Sequence, residues 1–587
     1  MKKTFFLAII LTINTLMSQS VHYQLSIKSP NSHLAEVKME IKEINSSEIF
    51  IKMPVWTPGS YMIREFERNV ISANAKSATQ ALDCKKTDKN TWKVKIPKGT
   101  KNIEFNYTVY CFEATVRTSY IDNEHAFILP TSCLMFVDNM TNKKGTLKLD
   151  IPGAWHRIST TLIKTAPYTY EFENYDELAD SPFEIGNHDE LTFNVAGVPH
   201  TVALVGENNC NKEQFTKDLQ KICETMTDIV GVHPCKSYLF IIHHVEEGGG
   251  GLEHANSNVV QFPRFNYTND QKYKAFLGLC AHEYFHLWNV KRIRPIALGP
   301  FNYSQENYTN LLWVAEGITS YYDELALLRA GFWTEDDFLK ATSKNISNTL
   351  NRIGGSVQSM HEASFDAWIK EYRTNENSLN THISYYLKGS VIAALLDIQL
   401  IKASNGQKNL DDLMKFLYQE FYIKKQRGFT DEEFYNAINT VGGQAIDFKY
   451  WVELPNDNQS LEKIKAAFKS IDCELIVKEN KKQDYTGLIL EQKGDKTLVR
   501  SVESSSPAFK SGLQAGDEII GLNGWRVKNN FEELIKNCPV STEIPVIISR
   551  NGLIQTLKIL STQDPKISLS IKVNSAANNQ KWLSKKQ

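Results

Sequence analysis

His282, Glu283 and His286, within Ala281-His282-Glu283-Tyr284-Phe285-His286, have the types and spacing of hydrolytic metal chemistry. Histidines at i and i+4 of a helix put both imidazoles on one face, close enough to share a cation. The glutamate beside the first can then hold a proton without being a ligand. A hydrolytic zinc takes three protein ligands and keeps one position for water, so a third ligand is expected on a following helix. Glu316 fits, because it lies in the apolar helical run "LLWVAEGITSYYDEL", where an unpaired carboxylate would be costly. The expectation is one Zn2+ held by His282, His286 and Glu316, with Glu283 as general base; a His2Glu set prefers zinc without excluding cobalt or manganese.

Two further stretches belong with this constellation. Four consecutive glycines, Gly248 to Gly251, precede Leu252, Glu253 and His254 and follow the apolar stretch "SYLFIIHHV". Gly250 and Gly251 allow close backbone approach, and an extended substrate could pair with such an edge. In "HISYYLKGSVIAALL", Tyr385 and Tyr386 stand at the start of a helix, where a phenol can donate to a developing oxyanion.

The elements that must position these residues follow from the pattern along the chain. From 21 to 195, short β-rich pieces such as "HYQLSI", "AEVKMEI" and "NIEFNYTVY" alternate with turn residues, which predicts a β-sandwich-like domain. From 196 to 460 the pattern turns mainly helical after a few strands. A small domain of strands and turns follows over 480–565, and the polar stretch 566–587 reads as a tail, largely mobile, with Trp582 as its one anchor. The class is multidomain α+β.

Lys2 and Lys3 before the apolar run Phe5 to Leu16 read as a secretory signal over 1–18, which predicts an exported, periplasmic or secreted protein. That run is too short to span a bilayer, so no integral membrane segment is expected. With 66 basic and 67 acidic residues in 587, the charge argues against nucleic acid as a partner. The nine cysteines show no metal-ribbon or dense disulfide spacing, and their pairing stays open, as does the oligomeric state.

Together, "HEYFHLWNVKRIRP", "WVAEGITSYYDEL", "GGGGLEH" and the N-terminal "MPVWTPGSYMIREFERNV" resemble the glycyl aminopeptidase family, secreted gluzincin metallopeptidases with a PDZ domain. The resemblance implies a thermolysin-like catalytic domain, and assigns His282, His286 and Glu316 to zinc and Glu283 to the base. It also implies that Glu253 recognises the substrate's free amine, although the motif here reads Gly-Leu-Glu-His. Tyr386 aligns with the oxyanion tyrosine, with Tyr385 its competitor. The long spacing from His286 to Glu316 is consistent with "KRIRPIALGPFNYSQENYTN" being an inserted active-site loop. Likewise "YTGLILEQ" and "SPAFKSGLQAGDEIIGLNG" resemble a PDZ domain, with Gly487 and Leu488 in the loop that holds a C-terminal carboxylate.

These implications make the substrates peptides with a free N-terminus, cleaved at the first bond with a preference for glycine and alanine. Peptide or protein C-termini are partners for the PDZ domain. An endopeptidase with the same zinc chemistry, and a peptide-binding or chaperone-like PDZ protein with vestigial catalysis, are the competing readings.

Overall fold

The computed structural model describes residues 19–539, 542–574 and 581–583, so the signal-like segment 1–18 lies outside the described residues. The chain divides into two compact units. Thr57 closes the first part of one, which continues over Arg64–Asn187; the other comprises Pro58–Ile63 and everything from His188 onward.

The first unit is β-rich, built from a seven-stranded sheet and two four-stranded sheets. Ser20–Ser26 lies inside the large sheet, parallel to Gly145–Asp150 and antiparallel to Leu34–Lys42. The period-2 pattern of Leu34–Lys42 buries Ala35, Val37, Met39 and Ile41 and turns Glu36, Lys38 and Glu40 outward.

The second unit opens with a five-stranded sheet: β1 (Asp189–Val195), β2 (Val198–Val205), β3 (Tyr238–Val245), β4 (Gly250–Glu253) and β5 (Ser257–Pro263), in the order β1-β2-β3-β5-β4. β1, expected in the N-terminal domain, forms a hairpin with β2 from Asp189 opposite Leu204 to Val195 opposite Val198, so the N-terminal domain ends earlier than residue 195. β2, β3 and β5 are parallel, and β4 pairs antiparallel to β5 as an edge strand. The helices that matter for the site are α1 (Lys212–Val230), α2 (Asp270–Phe285), α3 (Ile318–Arg329), α4 (Glu335–Asn351) and α5 (Leu387–Ala403). α2 begins at the N-cap Asn269, whose side chain accepts from Lys272 N, and it buries Phe276, Leu277, Cys280, Ala281, Tyr284 and Phe285. Apolar residues on all sides mark it as a central helix, and it packs on α1, α3, β4 and β5.

The PDZ-type domain is a sheet running from Leu488–Lys493 at one edge to Leu553–Leu560 at the other, with a core of Val499, Leu513, Ile519, Leu522, Val546 and Ile548. The expected tail is corrected here. Ile567–Val573 is a strand that pairs antiparallel with Cys473–Glu479, so the two brackets of the PDZ domain meet. It is also tied to α4, where Ser347 and Ser343 hydroxyls accept from Leu569 N (3.0 Å) and Ile571 N (3.1 Å). Trp582 is buried against Phe338 and Phe468 and donates to Tyr321 OH at 2.9 Å. A polar sequence concealed this because the strand satisfies its backbone on a helix's serines rather than through an apolar stripe. No helix among the described residues is long and apolar enough to cross a membrane, and all nine cysteines are free thiols.

Candidate active site

The last turn of α2 carries His282 and Glu283, and His286 caps it. The imidazoles of His282 and His286 stand 4.8 Å apart between centroids. Opposite them, Glu316 places Oε2 3.4 Å from His282 Nε2 and 3.2 Å from His286 Nε2. Ligand bonds of about 2.0–2.1 Å at tetrahedral angles would separate donor atoms by about 3.3 Å, so Glu316 stands at the spacing from both histidines that a shared zinc ion would need. The outer nitrogens are committed elsewhere. His282 Nδ1 lies 2.9 Å from Asp323 Oδ2, and His286 Nδ1 lies 2.8 Å from the carbonyl of Asn289. Those partners accept Nδ1–H and so leave the Nε2 lone pairs facing Glu316.

Glu316 sits in a widened, π-helical turn, Trp313–Gly317, just ahead of α3. The turn has an evident cause. Asn289 Nδ2 donates to the carbonyls of Val314 (2.7 Å) and Ala315 (3.0 Å) and reaches Thr319 Oγ1 at 3.0 Å, which satisfies groups the wide turn releases. One asparagine therefore orients His286 through its carbonyl and the Glu316 turn through its side chain. Although burial works to raise it, the facing His286 and His282 hold Glu316 down to about 2. Burial does the opposite for Glu283, pushing it up to about 7 against the pull of the same two histidines.

β4 supplies the facing wall. A Cβ on Gly251 would fall 2.1 Å from Glu283 Oε1, so the missing side chain is what lets the Glu283 carboxylate lie against this strand. The close approach the structure shows at Gly251 is that of Glu283. Gly250, at φ +116°, precedes it on the same edge. Glu253 is 3% exposed, and Oε1 has no hydrogen-bond partner among the described residues. Its carboxylate, that of Glu283 and His286 offer oxygen and nitrogen atoms within 4.8 Å of one another.

The helix α5 approaches from the other side. Gly317 and Gly389 are in backbone contact, since a Cβ on Gly317 would come 2.5 Å from Gly389 Cα. That contact brings the start of α5 beside Glu316 and puts the Tyr386 ring 6.3 Å from the His282 ring. Tyr385 stacks on Tyr386 at 4.7 Å but is fully buried, and its hydroxyl has no partner among the described residues. Tyr386 is half-buried and is the more exposed residue of the two. Gly487 and Leu488 stand elsewhere, at the beginning of the PDZ edge strand; Gly487 has φ +76° and its carbonyl accepts from Glu503 N at 2.8 Å.

Sequence reasoning missed Asp323, Asn289, Gly59, Tyr61 and Tyr372. Asp323 lies two turns past Glu316 on the same helical run, and Asn289 three residues past His286, so a search for the outer partners of the ligands could have found both. Gly59 and Tyr61 lie in the quoted stretch "MPVWTPGSYMIREFERNV", whose resemblance marked it without giving either residue a role, and Tyr372 carries no local signal.

A helix bearing HExxH with a glutamate on the following helical segment facing both histidines, set against an edge strand, defines a zinc metallopeptidase. Residues 22–187 match the Peptidase M61 N-terminal domain, 275–392 match M61 glycyl aminopeptidase, and 479–560 match a PDZ domain. The chain belongs to this M61 family and carries a PDZ domain in addition. It is similar to a crystal structure of an aminopeptidase N family protein from Idiomarina loihiensis, at 28% identity and TM-score 0.88, covering 96% of this chain and 100% of that one. It is also 36% identical over 96 residues to the serine protease Do-like HtrA of Bacillus subtilis, a match over 16% of this chain that spans about a fifth (21%) of that protein.

Proposed function

We propose that the protein is an aminopeptidase that removes the first residue of peptides, favouring glycine and alanine. The observation that carries this is Glu253, a buried carboxylate with an unpartnered oxygen facing Glu283 and His286. A buried charge in that position needs a cation, and a substrate's α-ammonium supplies one at the distance of a single residue from the reacting bond. The preference for small residues is supported by crowding at that end. A Cβ on Gly59 would come 2.4 Å from Glu253 Oε2, and the buried Tyr61 hydroxyl feels the carboxylates of both Glu316 and Glu253.

Bound zinc would supply Lewis-acid activation of water and of the scissile carbonyl. Glu283, held near neutrality by burial, takes the proton of the attacking water and passes it to the leaving amine. Tyr386 donates to the carbonyl oxygen as negative charge develops there; its accessibility, against the sealed Tyr385, supports that choice. Glu253 and the β4 edge hold the substrate's amine end, which limits cleavage to the first bond. At the PDZ domain, Gly487 and Leu488 would hold a C-terminal carboxylate, and the edge strand Leu488–Lys493 would accept a peptide by strand addition. The N-terminal segment supports export to the periplasm or beyond.

The deciding measurement is turnover of Gly- and Ala-p-nitroanilide beside an N-acetylated control, with and without chelator. Cleavage of only the free-amine substrates, lost with chelator, is expected. Cleavage of the blocked substrate would instead identify an endopeptidase, and no turnover at all a peptide-binding protein.

A further inference from the structure

Pro58–Ile63, from the stretch "TPGSYMI", packs with the catalytic unit although the chain on both sides belongs to the other one. Gly59, at φ +88°, lies directly on the Glu253 carboxylate. Its carbonyl is 3.5 Å from the hydroxyl of Tyr372, and that hydroxyl is 3.2 Å from the hydroxyl of Tyr386. The Tyr372 ring is fixed edge-on against Tyr61, 6.3 Å between centroids. A single phenol therefore links the residue that covers the amine end to the residue beside the reacting carbonyl.

Each phenol has one proton. If Tyr372 donates to the Gly59 carbonyl, Tyr386 can spend its own proton on Tyr372. If Tyr372 donates to the Tyr386 oxygen, the Tyr386 proton is turned toward the substrate, and accepting a hydrogen bond makes it the better donor. Both contacts are long, as hydrogen bonds in a site without substrate often are before they tighten on the reacting complex.

We propose that Tyr372 is the positioning residue for Tyr386: its hydroxyl, shared between the Gly59 carbonyl and the Tyr386 hydroxyl, sets which way the Tyr386 proton points and so ties closure of the amine end to stabilisation of the oxyanion. This rests on the reading of Tyr386 as oxyanion donor given above. Tyr372→Phe keeps the ring against Tyr61 and removes only the hydroxyl.

The test is a cycle of Tyr372→Phe, Tyr386→Phe and the double variant on Gly-p-nitroanilide, with zinc content and melting temperature measured for each. Tyr372→Phe is expected to lower kcat by about ten- to a hundredfold with KM changed less than about threefold and zinc content unchanged. The double variant should be no slower than Tyr386→Phe alone, because a residue acting only through Tyr386 has nothing left to act on. A kcat within a factor of two of the parent for Tyr372→Phe, or losses that multiply in the double variant, would overturn the proposal. Should Tyr372→Phe fail to fold, Tyr372→Met, which also lacks the hydroxyl, must lower kcat in the parent and not in Tyr386→Phe. Full activity of Tyr386→Phe would be a different failure, that of the oxyanion reading itself, and would take this inference down with it.

Discussion

Glu283 and Glu316 show how identical side chains are divided between two tasks by their neighbours. Glu316 faces both imidazoles at 3.2–3.4 Å and stays ionised, as binding a metal there would require. Glu283, pressed against Gly251 and buried, is poised near neutrality, where a group can both take and return a proton. Glu283→Gln is therefore expected to lower kcat by ~10²–10⁴-fold while zinc, measured by elemental analysis, stays bound. Lys388 is a second residue whose environment has a measurable consequence. It is 3% exposed, its Nζ has no partner among the described residues, and burial pushes its pKa down to about 8 from 10.5. The unfolded chain then holds more protons than the folded one between those two values, so this residue makes stability rise with pH across that window and opposes folding most below it. Lys388→Met should raise stability at pH 7 by about 2 kcal/mol and flatten the rise above pH 8, as read from denaturant unfolding at several pH values.

At the level of elements, the site depends on three close approaches between elements. β4 meets α2 at Gly251, the turn before α3 meets α5 at Gly317 and Gly389, and Asn289 fastens the end of α2 to that same turn. Gly317→Ala puts a methyl 2.5 Å from the backbone of Gly389. Neither partner is a flexible side chain, so the two helices must separate. The expected result is a stability loss of about 1–3 kcal/mol by thermal or denaturant melting, together with a fall in kcat as Tyr386 moves away from Glu316. Asp323 acts along α3 in a similar supporting way. Asp323→Ala removes the acceptor that orients His282 and should weaken zinc binding by about ten- to a hundredfold in competition with a chelator, without abolishing it.

On the scale of the whole molecule, the chain returns to the catalytic unit after leaving it for the PDZ domain. The strand Ile567–Val573 lies on α4, and Trp582 fills a site among Tyr321, Phe338 and Phe468. Tyr321 passes the contact on to Asp397 at 2.7 Å, so the C-terminal segment is joined to α3 and α5, the helices next to Glu316 and Tyr386. Trp582→Ala should cost about 3–5 kcal/mol and lower the melting temperature of the catalytic unit, even though the residue lies beyond the PDZ domain. Differential scanning calorimetry on the full chain checks this: an unchanged catalytic transition would mean the contact is idle.

The cluster of His282, His286 and Glu316 was legible in the sequence because a helix converts spacing directly into geometry. His282 and His286 had to share a face, and Glu316 stood in a run too apolar to tolerate an idle carboxylate. The domain types were legible for the same reason, since period 2 and period 3.6 are local properties. Partners were not local. That β1 is strand was readable, whereas its pairing with β2 in the catalytic unit depended on a register between segments. The strand at 567–573 looked like a tail because its stabilising groups are serines on α4, some 220 positions earlier by the separations of 222 and 228. Gly59 and Tyr61 reach the site from a distant part of the chain, and Tyr372 reaches Tyr386 across 14 positions, with no periodicity to announce either contact. Residue spacing determined what chemistry the protein could hold; only the tertiary structure decided what closes the amine end and what orients the donor, because contacts between distant segments are set by packing and leave no repeat in the sequence.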